Sequence, residues 1–120
     1  MTETAVQRAF PLNELPDGGA REAVYRDRDG EELPVVVLRE AERVYAYLNV
    51  CPHQGRELNF APDRFMVRDG VLMCAHHGAT YRVADGACLG GPCRGAPLRA
   101  LRAFVQDGDV LLIHGESTDA

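Results

Sequence analysis

Arg43-Val44-Tyr45-Ala46-Tyr47-Leu48-Asn49-Val50-Cys51-Pro52-His53-Gln54-Gly55 joins two signals in one stretch. Up to Asn49 the side chains alternate, Val44, Ala46 and Leu48 against Tyr45 and Tyr47, which is the period of two that defines a β-strand. The strand runs straight into a loop carrying a thiol at Cys51 and an imidazole at His53. About twenty residues later Val71-Leu72-Met73 leads in the same way into Cys74-Ala75-His76-His77-Gly78. Two strand ends thus deliver one cysteine and one histidine each.

Cys-x-His sets both side chains on one side of an extended loop, and Cys-x-x-His does so across a tight turn. The glycines that follow permit close backbone approach. Paired loops of this kind close a four-ligand site. Two cysteines and two histidines are also a zinc ligand set, but such zinc sites generally use Cys-x-x-Cys and paired histidines. One cysteine and one histidine from each of two glycine-flanked loops favours a mixed-ligand iron–sulfur centre. On the residues alone, His76 and His77 both remain candidates for the fourth ligand.

Working outward, Arg21 to Arg28 and Leu33 to Arg39 read as a hairpin turned by Asp29-Gly30, a pair suited to positive φ. Asp69-Gly70 turns a second hairpin within Val67 to Cys74, and Thr80 to Val83 is a short strand closed by Asp85-Gly86. Residues 86–97 form a Gly/Pro/Cys loop with little regular structure. Leu98 to Val105 and Val110 to His114 flank Asp107-Gly108 and make a last hairpin that returns to the main sheet. The expected fold is all-β and antiparallel, with tails at residues 1–9 and 115–120 around a single domain of residues 10–114.

The chain has 120 residues, of which 46% are hydrophobic, enough for one compact core. A formal charge of −5 and scattered Lys/Arg leave no basic footprint for nucleic acid or anionic lipid. No stretch approaches the roughly 20 apolar residues of a membrane span, and the first ten residues lack an export pattern. A cytoplasmic location is therefore expected. In that setting four cysteines point to metal or redox chemistry before disulfides.

Cys51-Pro52-His53 and Cys74-Ala75-His76-His77-Gly78 resemble the two halves of the Rieske motif, C-x-H and C-x-x-H. The resemblance extends from about Leu33 to His114 through the strands from Val35 onward, Tyr81, Gly91-Pro92 and the final hairpin. It implies an antiparallel β-sandwich with a small cluster-binding subdomain of two ligand loops, and one [2Fe–2S] cluster. It further implies that Cys51 and Cys74 hold the buried iron and His53 and His77 the outer one. The family spacing selects His77 over His76, which becomes an exposed neighbour; His114 is expected to be a plain surface residue.

High-potential members of the family carry an extra disulfide between the ligand loops, but the matching positions here are Arg56 and His76. They also carry a serine two residues after the second histidine, where this chain has Ala79. Tyr81 alone retains a hydroxyl to offer a cysteine sulfur, so a potential in the lower part of the roughly −150 to +300 mV Rieske range is expected. Cys88 and Cys93 are left over beside Gly91-Pro92, a pair resembling the segment that covers the cluster. They are expected to pack as small buried apolar residues, with a disulfide or regulatory thiol pair as the alternative.

The resemblance implies an electron carrier, not an enzyme in its own right: a ferredoxin receiving electrons from a reductase and passing them to an oxygenase or another reductase. The chain is too short for the further two-His, one-carboxylate iron domain of a terminal oxygenase. The alternatives are an accessory small subunit of a reductase such as assimilatory nitrite reductase, or a cluster-based redox sensor using Cys88 and Cys93. Gln54, Arg56 and the histidine edges are the expected docking rim.

Overall fold

The computed structural model of the protein describes residues 6–27, 29–52, 57–75, 78–91, 93 and 96–116. Its strands are β1 (Val6–Pro11), β2 (Ala20–Arg26), β3 (Glu32–Glu40), β4 (Arg43–Leu48), β5 (Met66–Arg68), β6 (Val71–Met73), β7 (Thr80–Arg82), β8 (Cys88–Gly90), β9 (Ala100–Gln106) and β10 (Asp109–Glu116). One 3-10 turn, Leu12–Glu14, follows β1, and no α-helix occurs among the described residues. Every strand pairing is antiparallel. The all-β reading of the sequence holds.

Six strands form a large sheet in the order β1-β10-β9-β4-β3-β2, and four form a small one in the order β5-β6-β7-β8. The large sheet curls until its edge strands meet. Across that seam the Gln7 side chain substitutes for a ladder, its Nε2 donating to Val24 O at 2.7 Å and its Oε1 accepting from Arg26 N at 3.0 Å. Phe10, Tyr25, Val35, Val37, Val44, Ala46, Val110 and Leu112 fill the interior of the curl.

β3 and β4 carry the connection between the sheets. Val35 and Val37 face the curled interior, whereas Val36 and Leu38 belong to a second core with Leu72, Tyr81 and Val83 of the small-sheet region. A strand buried on both faces reads as an unbroken apolar run, as Val35 to Leu38 does. Tyr47 adds a polar pin: its hydroxyl donates to Val83 O at 2.6 Å, and its ring packs where a Cβ at Gly86 would stand only 2.8 Å from Cε1. Burial, then the nearby charge of Asp85, pushes the Tyr47 phenol above its ordinary pKa.

Asp69-Gly70 and Asp107-Gly108 have positive φ at both positions, the two-residue hairpin turn their composition predicts. Asp29-Gly30 lies in a longer connection over residues 27–31, closed by Asp27 N donating to Glu31 O at 2.9 Å, with φ +84° at Gly30. Two expectations are corrected. Residues 6–9, expected in a tail, belong to β1 because that strand pairs with β10, and Gly115 and Glu116 belong to β10, where Glu116 is registered against Leu101 of β9. Within residues 86–97, expected to form a loop with little regular structure, Cys88–Gly90 adds a fourth strand to the small sheet by pairing with β7. Neither stretch has enough alternation of its own; each is a strand because a distant strand offers it a ladder.

Candidate metal centre

Cys51 lies three residues beyond β4 and Cys74 directly follows β6; both are fully buried within the core between the sheets. Three segments surround them: the first ligand loop between β4 and β5, the second between β6 and β7, and the segment following β8. His53 and His77, the histidines expected as ligands, lie outside the described residues, as do His76, Gln54 and Arg56. His114 is a position of β10.

The first ligand loop is organised by Asn49, a buried residue whose role sequence reasoning missed. Its Oδ1 accepts from Leu58 N at 2.9 Å and its Nδ2 donates to Asn59 Oδ1 at 2.8 Å. Asn59 in turn donates to Ala61 O at 3.0 Å. Asp63 at the far side of the loop exchanges bonds with Glu22 of β2: Asp63 N donates to Glu22 Oε2 at 2.5 Å and Glu22 N donates to Asp63 Oδ1 at 2.8 Å. An asparagine closing an apolar alternation is the one signal that could have revealed it, since Asn is depleted in strands and favoured where side chains hydrogen-bond the backbone.

The second ligand loop is closed by its own backbone. Cys74 N donates to Ala79 O at 2.7 Å and Gly78 N donates to Cys74 O at 3.0 Å, a tight return that φ +75° at Gly78 permits. Ala75 N donates to Leu58 O at 3.1 Å and so joins the two ligand loops. Gly91, at φ +86°, lies against this turn so closely that a Cβ there would meet Ala79 Cα at 2.9 Å.

Tyr81, at the centre of β7, is fully buried, and its hydroxyl oxygen lies 3.6 Å from Cys51 Sγ. Burial, and then the contact with Cys51, drives the phenol above its ordinary pKa, so it keeps its proton and can donate to a deprotonated sulfur. Ala79 offers only a buried methyl, and Thr80 Oγ1 is directed to Gly90 O at 3.5 Å.

Cys88 and Cys93 correct the sequence reading. They do not pack as separate thiols but form a disulfide, with Cα atoms 5.9 Å apart. The reason is tertiary: β8 holds Cys88 opposite Tyr81, and the chain doubles back at Gly91, which brings Cys93 to it.

Two buried thiols on facing loops, a phenol donor beside one of them and a glycine-built cradle suit a cluster whose sulfurs accept hydrogen bonds. The Rieske [2Fe–2S] domain model matches residues 6–109, and the chain belongs to that family. It is an electron-transfer protein with one [2Fe–2S] cluster. No curated protein matches the chain in sequence.

Solved structures agree in fold. The chain is 26% identical to the ferredoxin of carbazole 1,9a-dioxygenase from Nocardioides aromaticivorans IC177, with a TM-score of 0.72 over 95% of this chain and 100% of that one. A chain in a complex of reduced oxygenase and oxidized ferredoxin of carbazole 1,9a-dioxygenase superposes with a TM-score of 0.77 at 22% identity, covering 95% of this chain and 97% of its own. A Mycobacterium tuberculosis protein assigned as the small subunit of an NADH-dependent nitrite reductase gives 0.68 at 21% identity, over 95% and 98% of the two chains. Among the described residues no helix is long and apolar enough to cross a membrane.

Proposed function

We propose that the chain is a cytoplasmic, single-domain ferredoxin that receives electrons from a reductase and delivers them one at a time to an oxygenase. Cys51 and Cys74 hold the inner iron of the cluster, and His53 and His77 hold the outer one. The observation that carries this reading is the pair of buried cysteines on facing loops, with the Tyr81 hydroxyl beside Cys51. When bound, the cluster supplies a one-electron acceptor, which two neutral imidazoles in place of thiolates make easier to reduce. The protein's share is to bury the cysteine side, to donate to its sulfur and to hold the two loops together through Ala75 and Leu58. Gln54 and Arg56, neighbours of His53 in sequence, form the docking rim where the electron leaves.

Likeness to a ferredoxin of carbazole 1,9a-dioxygenase supports the oxygenase partner, and likeness to a nitrite reductase small subunit supports a second reading as a reductase subunit. Protein purified without oxygen settles the cofactor: equal iron and sulfide with a mixed-ligand EPR signal on reduction is expected, and colourless, zinc-bearing protein overturns the reading. Cys51→Ser and Cys74→Ser are each expected to abolish the red-brown colour, as is His77→Ala, while His76→Ala keeps it. Stopped-flow oxidation by a Rieske oxygenase, against co-purification with a large reductase subunit, separates the two partner classes.

A further inference from the structure

The disulfide Cys88–Cys93 is the feature that the carrier function leaves unused. Its ring, residues 88–93, is short, and closing so short a loop removes less chain entropy than closing a long one, so its effect is local. What it constrains is the backing of the second ligand loop. Cys88 pairs with Tyr81 across β7 and β8, and Gly91 abuts Ala79, whose carbonyl accepts from Cys74 N. Cys93 Sγ lies 3.2 Å from Gly90 O and 3.7 Å from Thr80 O, and the residue is almost fully buried at 1% exposure. The bridge therefore holds the Gly90-Gly91 bend against the turn that carries Cys74. In the cytoplasmic setting proposed above, a disulfide is transient or redox-sensing because dithiol reductants keep thiols reduced.

We propose that Cys88–Cys93 is a second redox site of this protein, a thiol–disulfide exchange site for a dithiol reductant, and that its state sets how firmly the second ligand loop is held around Cys74. A thiolate of the reductant attacks the sulfur of half-buried Cys88, forming a mixed disulfide and breaking the Cys88–Cys93 bond. Cys93 leaves as a thiolate and takes a proton. The second reductant thiol then displaces Cys88 as a thiol, so the bridge gains two electrons and two protons while the dithiol becomes a disulfide. With the ring open, the Gly91 bend is no longer tied to β8 and the turn over Cys74 to Ala79 opens more often.

The location within the centre rests on the Rieske reading, but the test does not depend on the cluster. Cluster-loaded and cluster-free protein are compared with and without dithiothreitol, beside the Cys88→Ala/Cys93→Ala double variant. Alkylation read peptide by peptide is expected to show Cys88 and Cys93 becoming modifiable only after dithiothreitol. Amide hydrogen exchange at Cys74 and Gly78 is expected to quicken about tenfold on reduction, as local opening becomes easier. The double variant should exchange at the reduced rate whether or not dithiothreitol is present. A bridge that dithiothreitol does not open in the native protein, equal exchange in both states, or a response of the double variant like that of the wild type overturns the proposal. Protein without iron or sulfide that still shows the reduction-dependent exchange would refute the cluster assignment and leave the exchange site standing.

Discussion

At the scale of single residues, Tyr81 is where packing meets electronics. Its ring fills the core between the sheets, and the same burial that keeps the phenol protonated aims its hydroxyl at Cys51 Sγ, 3.6 Å away. A donor to a cluster sulfur stabilises the added electron. Tyr81→Phe keeps the ring and removes the donor; one hydrogen bond of about 1 kcal/mol corresponds to a fall of about 40 mV in midpoint potential for a one-electron couple. Spectroelectrochemical titration of the two proteins reads this directly, and an unchanged midpoint would show that the phenol does not donate to the sulfur. Tyr81 was legible from the sequence as a hydroxyl near the second motif, but its partner was not. Cys51 lies thirty positions away in the chain, and only the crossing of β7 under the first ligand loop brings the two together.

At the scale of elements, the loops are held by side chains that carry no motif. Asn49 satisfies Leu58 N and Asn59 from a buried position, so Asn49→Ala strands a buried amide hydrogen. A loss of about 1 to 3 kcal/mol is expected in urea unfolding, with faster proteolysis between β4 and β5. Tyr47 joins the sheets through its bond to Val83 O. Tyr47→Phe should cost about 1 kcal/mol at neutral pH.

The pH dependence of Tyr47 has a definite sign. Its folded pKa is raised, so above the ordinary value of about 10 the unfolded chain loses the proton first and stability falls as pH rises. Tyr47→Phe should flatten that alkaline decline, seen as a smaller difference in urea midpoint between pH 9 and about pH 11 than in the wild type. The alternation of Arg43 to Asn49 identified β4 correctly because period two is a local property. It left open that both faces are buried, which requires a second sheet to cover the tyrosine side.

For the whole molecule, the division into a curled sheet and a smaller one separates two tasks. The large sheet supplies a core of its own, and the small sheet presents two loops whose cysteines are buried against β3 and β4. A net charge of −5 opposes adding a further electron, and Ala79 brings a methyl where high-potential relatives bring a hydroxyl. The midpoint should therefore lie in the lower part of the roughly −150 to +300 mV Rieske range, and a titrated value near +200 mV would contradict this account.

What was legible in the amino-acid order is the expected ligand chemistry of the centre and the turns near it. The Cys-x-His and Cys-x-x-His spacings point to the proposed pair of ligand loops, and the Asp-Gly dipeptides to their turns, because both depend only on residues close together in the chain. Tertiary structure alone decided what distant segments do to one another. β1 is a strand because β10 pairs with it, β8 because β7 does, and Cys88 and Cys93 are bridged because the bend at Gly91 returns the chain to β8. Backbone pairing rewards any segment that can lie beside a partner, whatever its own periodicity, so such contacts exist only once the fold has brought the partners together.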